Sequence, residues 1–249
     1  MNEFKGKVAL VTGGSSGIGR ATAIKFGERG ARVVVANRRE KEGMETVEMI
    51  EKAGGEAMFV QTDVRIAPQV EDMVNQTVKR YGRLDIAFNN AGVGGIMARL
   101  IRTTEEVFDE VVNTNFKGVW LSMKYEIPLM LKQGGGVIIN NSSTAGVSTA
   151  ERLSVYSGSK HAVVGISNAA AAEYGKDNIR VVTVCPGWIK TRMTEELRAR
   201  KDADAFRAGI PLKRWGEPEE VAEMVIWLAS DAASFVTGGT FIISGGMNA

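Results

Sequence analysis

A strand-forming run that breaks directly into glycines sets the terms for this chain. Between Gly6 and Thr12 lies Lys7-Val8-Ala9-Leu10-Val11, an almost continuous apolar stretch of the kind buried on both faces of a parallel sheet. It passes into Thr12-Gly13-Gly14-Ser15-Ser16-Gly17-Ile18-Gly19, and then into the helix-forming Arg20-Ala21-Thr22-Ala23-Ile24-Lys25-Phe26. Strand, glycine turn and helix in this order open a βαβ unit. The spacing is Gly-x3-Gly-x-Gly, not the general Gly-x-Gly-x2-Gly fingerprint. Glycines here let the backbone turn tightly and approach a diphosphate seated at the helix N-terminus. A purely structural turn would use the same residues, but the place between first strand and first helix favours a cofactor.

The alternation continues. Ala31-Arg32-Val33-Val34-Val35-Ala36 reads as a second strand, ending at Asn37-Arg38-Arg39. An acidic residue at this point would accept hydrogen bonds from the adenine ribose of NAD. Asn37 removes that carboxylate, and a guanidinium pairs well with a 2′-phosphate, so preference for NADP is expected, with NAD still admitted. The alternative is that Arg38 and Arg39 merely start a solvated helix. A third strand, Ala57 to Gln61, ends at Thr62-Asp63-Val64. Asp63 either accepts from the adenine amino group or caps the next helix. Pro68 opens that helix, with Val70, Met73, Val74, Thr77 and Val78 at helical spacing. A fourth strand, Leu84 to Phe88, ends at Asn89-Asn90-Ala91-Gly92, where small residues let a ring lie close to the backbone.

Thr103 and Glu106 have capping-box spacing ahead of a long helix running towards Leu131, with Pro128 placed to bend or stop it. Asn113 and Asn115 on this helix point about 200° apart, so one of them faces inward. Next comes the buried run Val137-Ile138-Ile139, which exits through Asn140-Asn141-Ser142-Ser143 and delivers hydroxyls at its C-terminal end. Val155 to Tyr174 follows as a helix on which Tyr156 and Lys160, four apart, share a face. A tyrosine ionises near pH ~10. An ammonium about 5 Å away would favour the phenolate by roughly 3 kcal/mol at an effective dielectric of 20, about two pKa units. Tyr156 would then serve as acid or base near neutrality while Ser143 holds a carbonyl oxygen. Against this stands an ordinary exposed i,i+4 pair.

Ile179 to Val184 reads as a sixth strand, ending at Cys185-Pro186-Gly187. From Trp188 to Gly216 the chain turns charged and irregular, with only short helical stretches, and is the expected substrate-covering segment. Pro218 starts a last helix, and Gly239 to Ile243 forms a closing strand. Eleven methionines and four tryptophans read as core filling. A net charge of +2 without a basic run argues against nucleic acid or anionic membrane as partner. No signal segment or bilayer-length apolar run is read, and the single Cys185 excludes an intramolecular disulfide and a zinc cluster. A cytoplasmic protein without a metal is expected. His161, the one histidine, reads as a solvated helix residue beside Lys160 rather than a hydrolase base.

Strands thus alternate with helices along the whole chain, which means a parallel sheet covered by helices on both faces. Thr12-Gly13-x3-Gly17-x-Gly19, Asn89-Asn90-Ala91-Gly92, Ser143 with Tyr156-x3-Lys160, and Pro186-Gly187 stand in order at element ends. Over residues 5 to 247 the chain resembles the short-chain dehydrogenase/reductase family. The resemblance implies one α/β domain over residues 1–249, a Rossmann-type doubly wound parallel sheet of about seven strands, and hydride transfer from the B face of a nicotinamide. It makes Tyr156 the general acid/base and Ser143, rather than Ser142, the carbonyl-orienting hydroxyl. Lys160 binds the nicotinamide ribose and depresses the tyrosine pKa, and Asn115 supports a proton-relay water. Cofactor contacts are expected from Gly13, Ser15, Ser16, Gly17, Ile18, Gly19, Asn37, Arg38, Asp63, Val64, Asn90, Ala91, Gly92, Pro186, Gly187, Ile189 and Thr191, besides Tyr156 and Lys160. Val182 and Ser244 depart from the family's usual Asn and Asp. Members are commonly tetramers built on the helices near 107–132 and 155–174, where Ala162, Gly165, Ala169 and Ala170 would permit close packing.

The expected activity is NADP-dependent interconversion of a small-molecule ketone or aldehyde with an alcohol. A rival enzyme is 3-oxoacyl-carrier-protein reductase, which would need a basic docking patch; Arg192, Arg198, Arg200 and Lys201 are the candidates. A rival from another class is a non-catalytic cofactor sensor or scaffold, a role that usually goes with loss of the tyrosine or lysine that this chain keeps.

Overall fold

The computed structural model describes residues 3–247. Its seven strands are β1 (Val8–Thr12), β2 (Arg32–Asn37), β3 (Glu56–Gln61), β4 (Ile86–Asn89), β5 (Gly136–Asn141), β6 (Ile179–Pro186) and β7 (Thr240–Ile243). They form one sheet in the order β3-β2-β1-β4-β5-β6-β7, parallel throughout. The α/β doubly wound architecture expected from the alternation is therefore the one observed. Chain order reverses between β1 and β4, and the C-terminal ends of those two strands open a crevice at this switch point.

Strand periodicity explains the two layers. Val8 and Leu10 point to one face, where they pack with α3 (Ala67–Tyr81), α5 (Gly118–Gln133) and α6 (Ser154–Tyr174). Ala9 and Val11 point to the other, against α1 (Gly17–Glu28), α2 (Glu40–Lys52) and α9 (Pro218–Ala229). Each fully buried aliphatic side chain contributes about 1.5–3 kcal/mol, so both faces drive the fold.

Several local expectations are corrected. The cap of α4 (Glu105–Val112) is Thr104, not Thr103: its hydroxyl accepts from Val107 N, because the helix starts one residue later than the spacing suggested. Pro128 does not stop α5, which runs to Gln133 and closes at Gly134 with φ 86°. Pro128 and Lys124, whose carbonyl loses its usual N–H partner to the proline, both lie on the exposed face of the helix. Asp63 is not a helix cap, since α3 is preceded by Ile66. Trp120 and Trp227 are about half exposed rather than core filling, and Ala170 faces the core while Gly165 and Ala169 face outward. Between Trp188 and Gly216 lie only α7 (Glu195–Ala199), α8 (Ala203–Ala208) and a 3-10 turn, as the composition suggested. That segment is pinned by Trp188 stacking edge-on against Phe206 and Trp215, each 5.8 Å away between ring centres. Among the described residues no helix is long and apolar enough to cross a membrane.

Candidate active site

The glycine turn is built so that nothing larger fits. Gly13 adopts φ 67°, and a Cβ there would meet Asn90 Nδ2 at 2.9 Å; a Cβ on Gly19 would lie 2.3 Å from Gly13 O. The turn therefore folds back on itself ahead of α1 and presses against the end of β4. Arg39 crosses to it: its guanidinium donates to Ser15 Oγ at 3.0 Å and Ser16 Oγ at 3.2 Å, and pairs with Glu42 at 3.3 Å. Arg38, the arginine expected from sequence to meet the cofactor, makes no side-chain hydrogen bond or close ion pair among the described residues, lies within electrostatic reach of Asp63 and lines the same crevice. Asn37 is buried and donates to Arg39 O at 2.6 Å. The Asp63 carboxylate is taken by Arg65 at 2.6–3.1 Å, and this hydrogen bonding holds its pKa below the usual carboxylate range.

At the other end of the crevice the end of β5 meets α6. Ser143 follows β5 in extended conformation, accepts from Ala145 N at 3.1 Å and hydrogen-bonds the Tyr156 hydroxyl. Lys160, one turn along α6 from Tyr156, is buried with its Nζ 5.8 Å from the tyrosine ring centre, and donates to Asn141 O at 2.8 Å. The expected lowering of the phenol by the ammonium is not what the environment produces. Burial outweighs the other influences and raises the Tyr156 pKa, with the Ser143 hydrogen bond opposing it. Burial also pulls Lys160 down to about 8.

A π-helical turn, Asn113–Lys117, separates α4 from α5 and decides between the two asparagines. Asn115 is fully buried; its Oδ1 accepts from Val93 N at 2.8 Å and its Nδ2 donates to Val93 O and Ser159 Oγ. Asn113 is only partly buried. A Cβ on Gly92 would lie 3.2 Å from Asn115 Oδ1 and 3.5 Å from Lys160 Nζ, so these three residues meet behind Tyr156.

These two ends belong to one crevice of about 580 Å³. Of the residues singled out from sequence, all line it except Gly19 and Asn115, which pack behind its wall. Thr191 closes over the glycine turn, its Cγ2 3.0 Å from where a Gly17 Cβ would be. Val182 is core, and Ser244 packs on Gly187. His161 is exposed and hydrogen-bonds only within α6, to Ser157. Lining residues outside the expected cofactor contacts include Arg39 and Asn141, and also Thr62, Val93, Thr114 and Met193. The arginine doublet was the available signal for the first, and the doublet Asn140-Asn141 for the second. Of the four basic residues named for a docking patch, Arg200 is paired with Asp202 and Arg198 donates to Thr191 O.

The crevice fits a dinucleotide. A loop whose glycines have no room for side chains sits at a helix N-terminus, two arginines stand at one end, and a serine–tyrosine–lysine group stands at the other. Known proteins agree with this layout. A family model described as enoyl-(acyl carrier protein) reductase matches residues 13–248. An uncharacterised oxidoreductase of Thermotoga maritima is 44% identical over 254 residues, covering 99% of this chain and 99% of its own. The 3-oxoacyl-(acyl-carrier-protein) reductase of the same organism is 40% identical and covers 98% of each chain. A variant of actinorhodin polyketide ketoreductase, solved with NADPH, matches with a TM-score of 0.93 at 37% identity over 97% of each chain. On this coverage and strand order, the chain belongs to the short-chain dehydrogenase/reductase family, a family of oxidoreductases acting on alcohol and carbonyl groups.

Proposed function

We propose that this chain is an NADP-preferring oxidoreductase that interconverts a small ketone or aldehyde with its alcohol, Tyr156 being the general acid/base. The observation that carries the reading is the convergence of Ser143, Tyr156 and Lys160 at one end of a crevice whose other end holds Arg38 and Arg39. A bound nicotinamide dinucleotide would supply or accept the hydride. Gly13, Gly17 and the N-terminus of α1 would hold its diphosphate, Arg38 its 2′-phosphate, and Asn90 and Lys160 its nicotinamide ribose.

The remaining chemistry falls to side chains. The Ser143 and Tyr156 hydroxyls bond each other and so can share one carbonyl oxygen between them. Ser143 donates to that oxygen and fixes it, and Tyr156 gives it a proton as negative charge develops there. Lys160, charged below about pH 8, stabilises the phenolate that this leaves. In the oxidative direction Tyr156 takes the alcohol proton and the same contacts run in reverse. Asn115 holds the Val93 peptide and the Ser159 hydroxyl, and by the family resemblance would support a proton-relay water.

A second reading, reduction of 3-oxoacyl groups on a carrier protein, is favoured by the Thermotoga maritima relative of that name. The scattered engagement of Arg198 and Arg200 speaks against a docking patch on this segment. Fluorescence titration with NADPH and NADH, followed by a panel of free and carrier-linked carbonyls read at the nicotinamide band, tests both. Failure to bind either dinucleotide overturns the proposal, and turnover confined to carrier-linked substrates selects the second reading. Tight binding with no turnover across a broad panel would leave a cofactor sensor.

A further inference from the structure

We infer that Asn141 is a positioning residue that ties Lys160 to the glycine turn by way of Asn90. The inference rests on the cofactor reading above. β4 and β5 are in register at Asn89 and Asn140, the last residues at which the two strands pair with each other. Beyond that point the sheet supplies no further ladder bonds between them. Side chains take over. Asn90 Nδ2 donates to Thr12 O at 3.0 Å and to Gly13 O at 3.4 Å. Two carbonyl partners fix which end of that amide carries the nitrogen, so Asn90 Oδ1 faces the other way and needs a donor. Asn141 Nδ2 is that donor, at 2.9 Å. The main-chain carbonyl of the same Asn141 accepts the Lys160 ammonium at 2.8 Å.

One residue therefore grips the proposed catalytic lysine with its backbone and the loop-holding asparagine with its side chain. Movement of the glycine turn is passed to Lys160 through Asn90 and a single peptide unit. The orientation has a cost that stability alone does not explain. With Nδ2 committed to Asn90, Asn141 Oδ1 is buried without a partner. A buried unpaired acceptor is destabilising, and an apolar residue at this strand end would avoid it. Asn141 thus suits the holding of Asn90, not the packing of the core.

The test is a double-mutant cycle on cofactor affinity. NADPH is titrated by ligand fluorescence against the wild type, Asn141→Leu, Asn90→Ala and the double variant, with melting temperature followed in parallel. Absence of binding by the wild type would count against the cofactor reading itself and would be seen before any variant is compared. Asn141→Leu should weaken NADPH by about tenfold with little change in melting temperature, and the double variant should be no worse than Asn90→Ala alone. Wild-type affinity in Asn141→Leu, or losses that multiply in the double variant, would overturn the inference. So would a loss of affinity that merely tracks a fall in melting temperature. Should the leucine variant not fold, Asn141→Thr, β-branched and suited to a strand, removes the same amide and is read by the same criteria.

Discussion

Arg39 is hydrogen-bonded across the crevice to Ser15, 3.0 Å from its Oγ, while Arg38 beside it is left free to face the cleft. The two arginines therefore have separable expected effects. Arg38→Ala should weaken NADPH by about ten- to a hundredfold and leave NADH almost unchanged, as loss of a charge-assisted phosphate contact does. Arg39→Ala should weaken both dinucleotides, because it also releases the serines of the glycine turn. Equal effects of the two substitutions on the NADPH-to-NADH ratio would refute this division of labour.

Tyr156 hydrogen-bonds Ser143 through the one atom that a phenylalanine lacks. Tyr156→Phe keeps the ring and its packing, so NADPH affinity should stay within about twofold while kcat falls by at least ~100-fold, the range of general acid–base catalysis. Substantial residual turnover, measured with a good carbonyl substrate, would remove Tyr156 from its assigned role.

Lys160 should give the reaction its alkaline limit. Burial lowers its pKa to about 8, so the ammonium is present below that pH and lost as pH rises through it. Because kcat/KM for NADPH reports groups of the cofactor-free enzyme, it should decline above about pH 8. Tyr156, raised by burial, does not account for a limb there. Lys160→Arg keeps the charge at all accessible pH, so the limb should move upward even where the absolute rate drops. A limb that stays in place in the arginine variant would assign it to another group.

Assembly is the next expectation. Phe108 and Trp120 are half exposed on α4 and α5, and Lys124 Nζ lies 5.2 Å from the Trp120 ring centre. Trp227, Phe235 and Ile242 form a second set of exposed apolar side chains near β7. Two such sets on one chain suit two two-fold interfaces and hence a tetramer. Sedimentation should show a species near four subunits, and Trp120→Glu should shift it to a smaller assembly. A stable wild-type monomer at micromolar concentration would sink this expectation.

What the sequence disclosed and what it hid follow from the range of the forces involved. Strand runs such as Val8 to Val11 are legible because burial on both faces demands continuous apolar residues, and Tyr156 with Lys160 is legible because helical spacing is local. Arg39 was hidden because adjacent residues leaving a strand diverge, and which one returns to the glycine turn depends on the path out of β2. The choice of Asn115 over Asn113 was made by a π-helical turn that no local pattern announces. The direction of the Tyr156 shift was misjudged because charge separation can be guessed from spacing, whereas desolvation is set by the whole surrounding fold. Asn141 acquires its place only when β4 and β5 come into register.

Glu126 offers a last prediction, one about stability and not turnover. It is fully buried on α5, where its Oε2 accepts from Asn89 Nδ2 at 3.0 Å. Glu126 Oε1 is buried without a partner, so the ionised carboxylate has only the Asn89 amide to replace its lost hydration. Burial accordingly pushes its pKa from 4.5 up to about 7. Between those values the folded chain keeps a proton that the unfolded chain has released, so stability falls as pH rises through the window. Crossing it fully costs about 3 kcal/mol, at about 1.36 kcal/mol per pKa unit. Glu126→Gln is neutral throughout and can still accept from Asn89. It should melt at or above the wild-type temperature at pH 8 and show a flatter decline between pH 5 and 7 in denaturant titrations. An unchanged decline in the glutamine variant would mean that the proton is bound elsewhere.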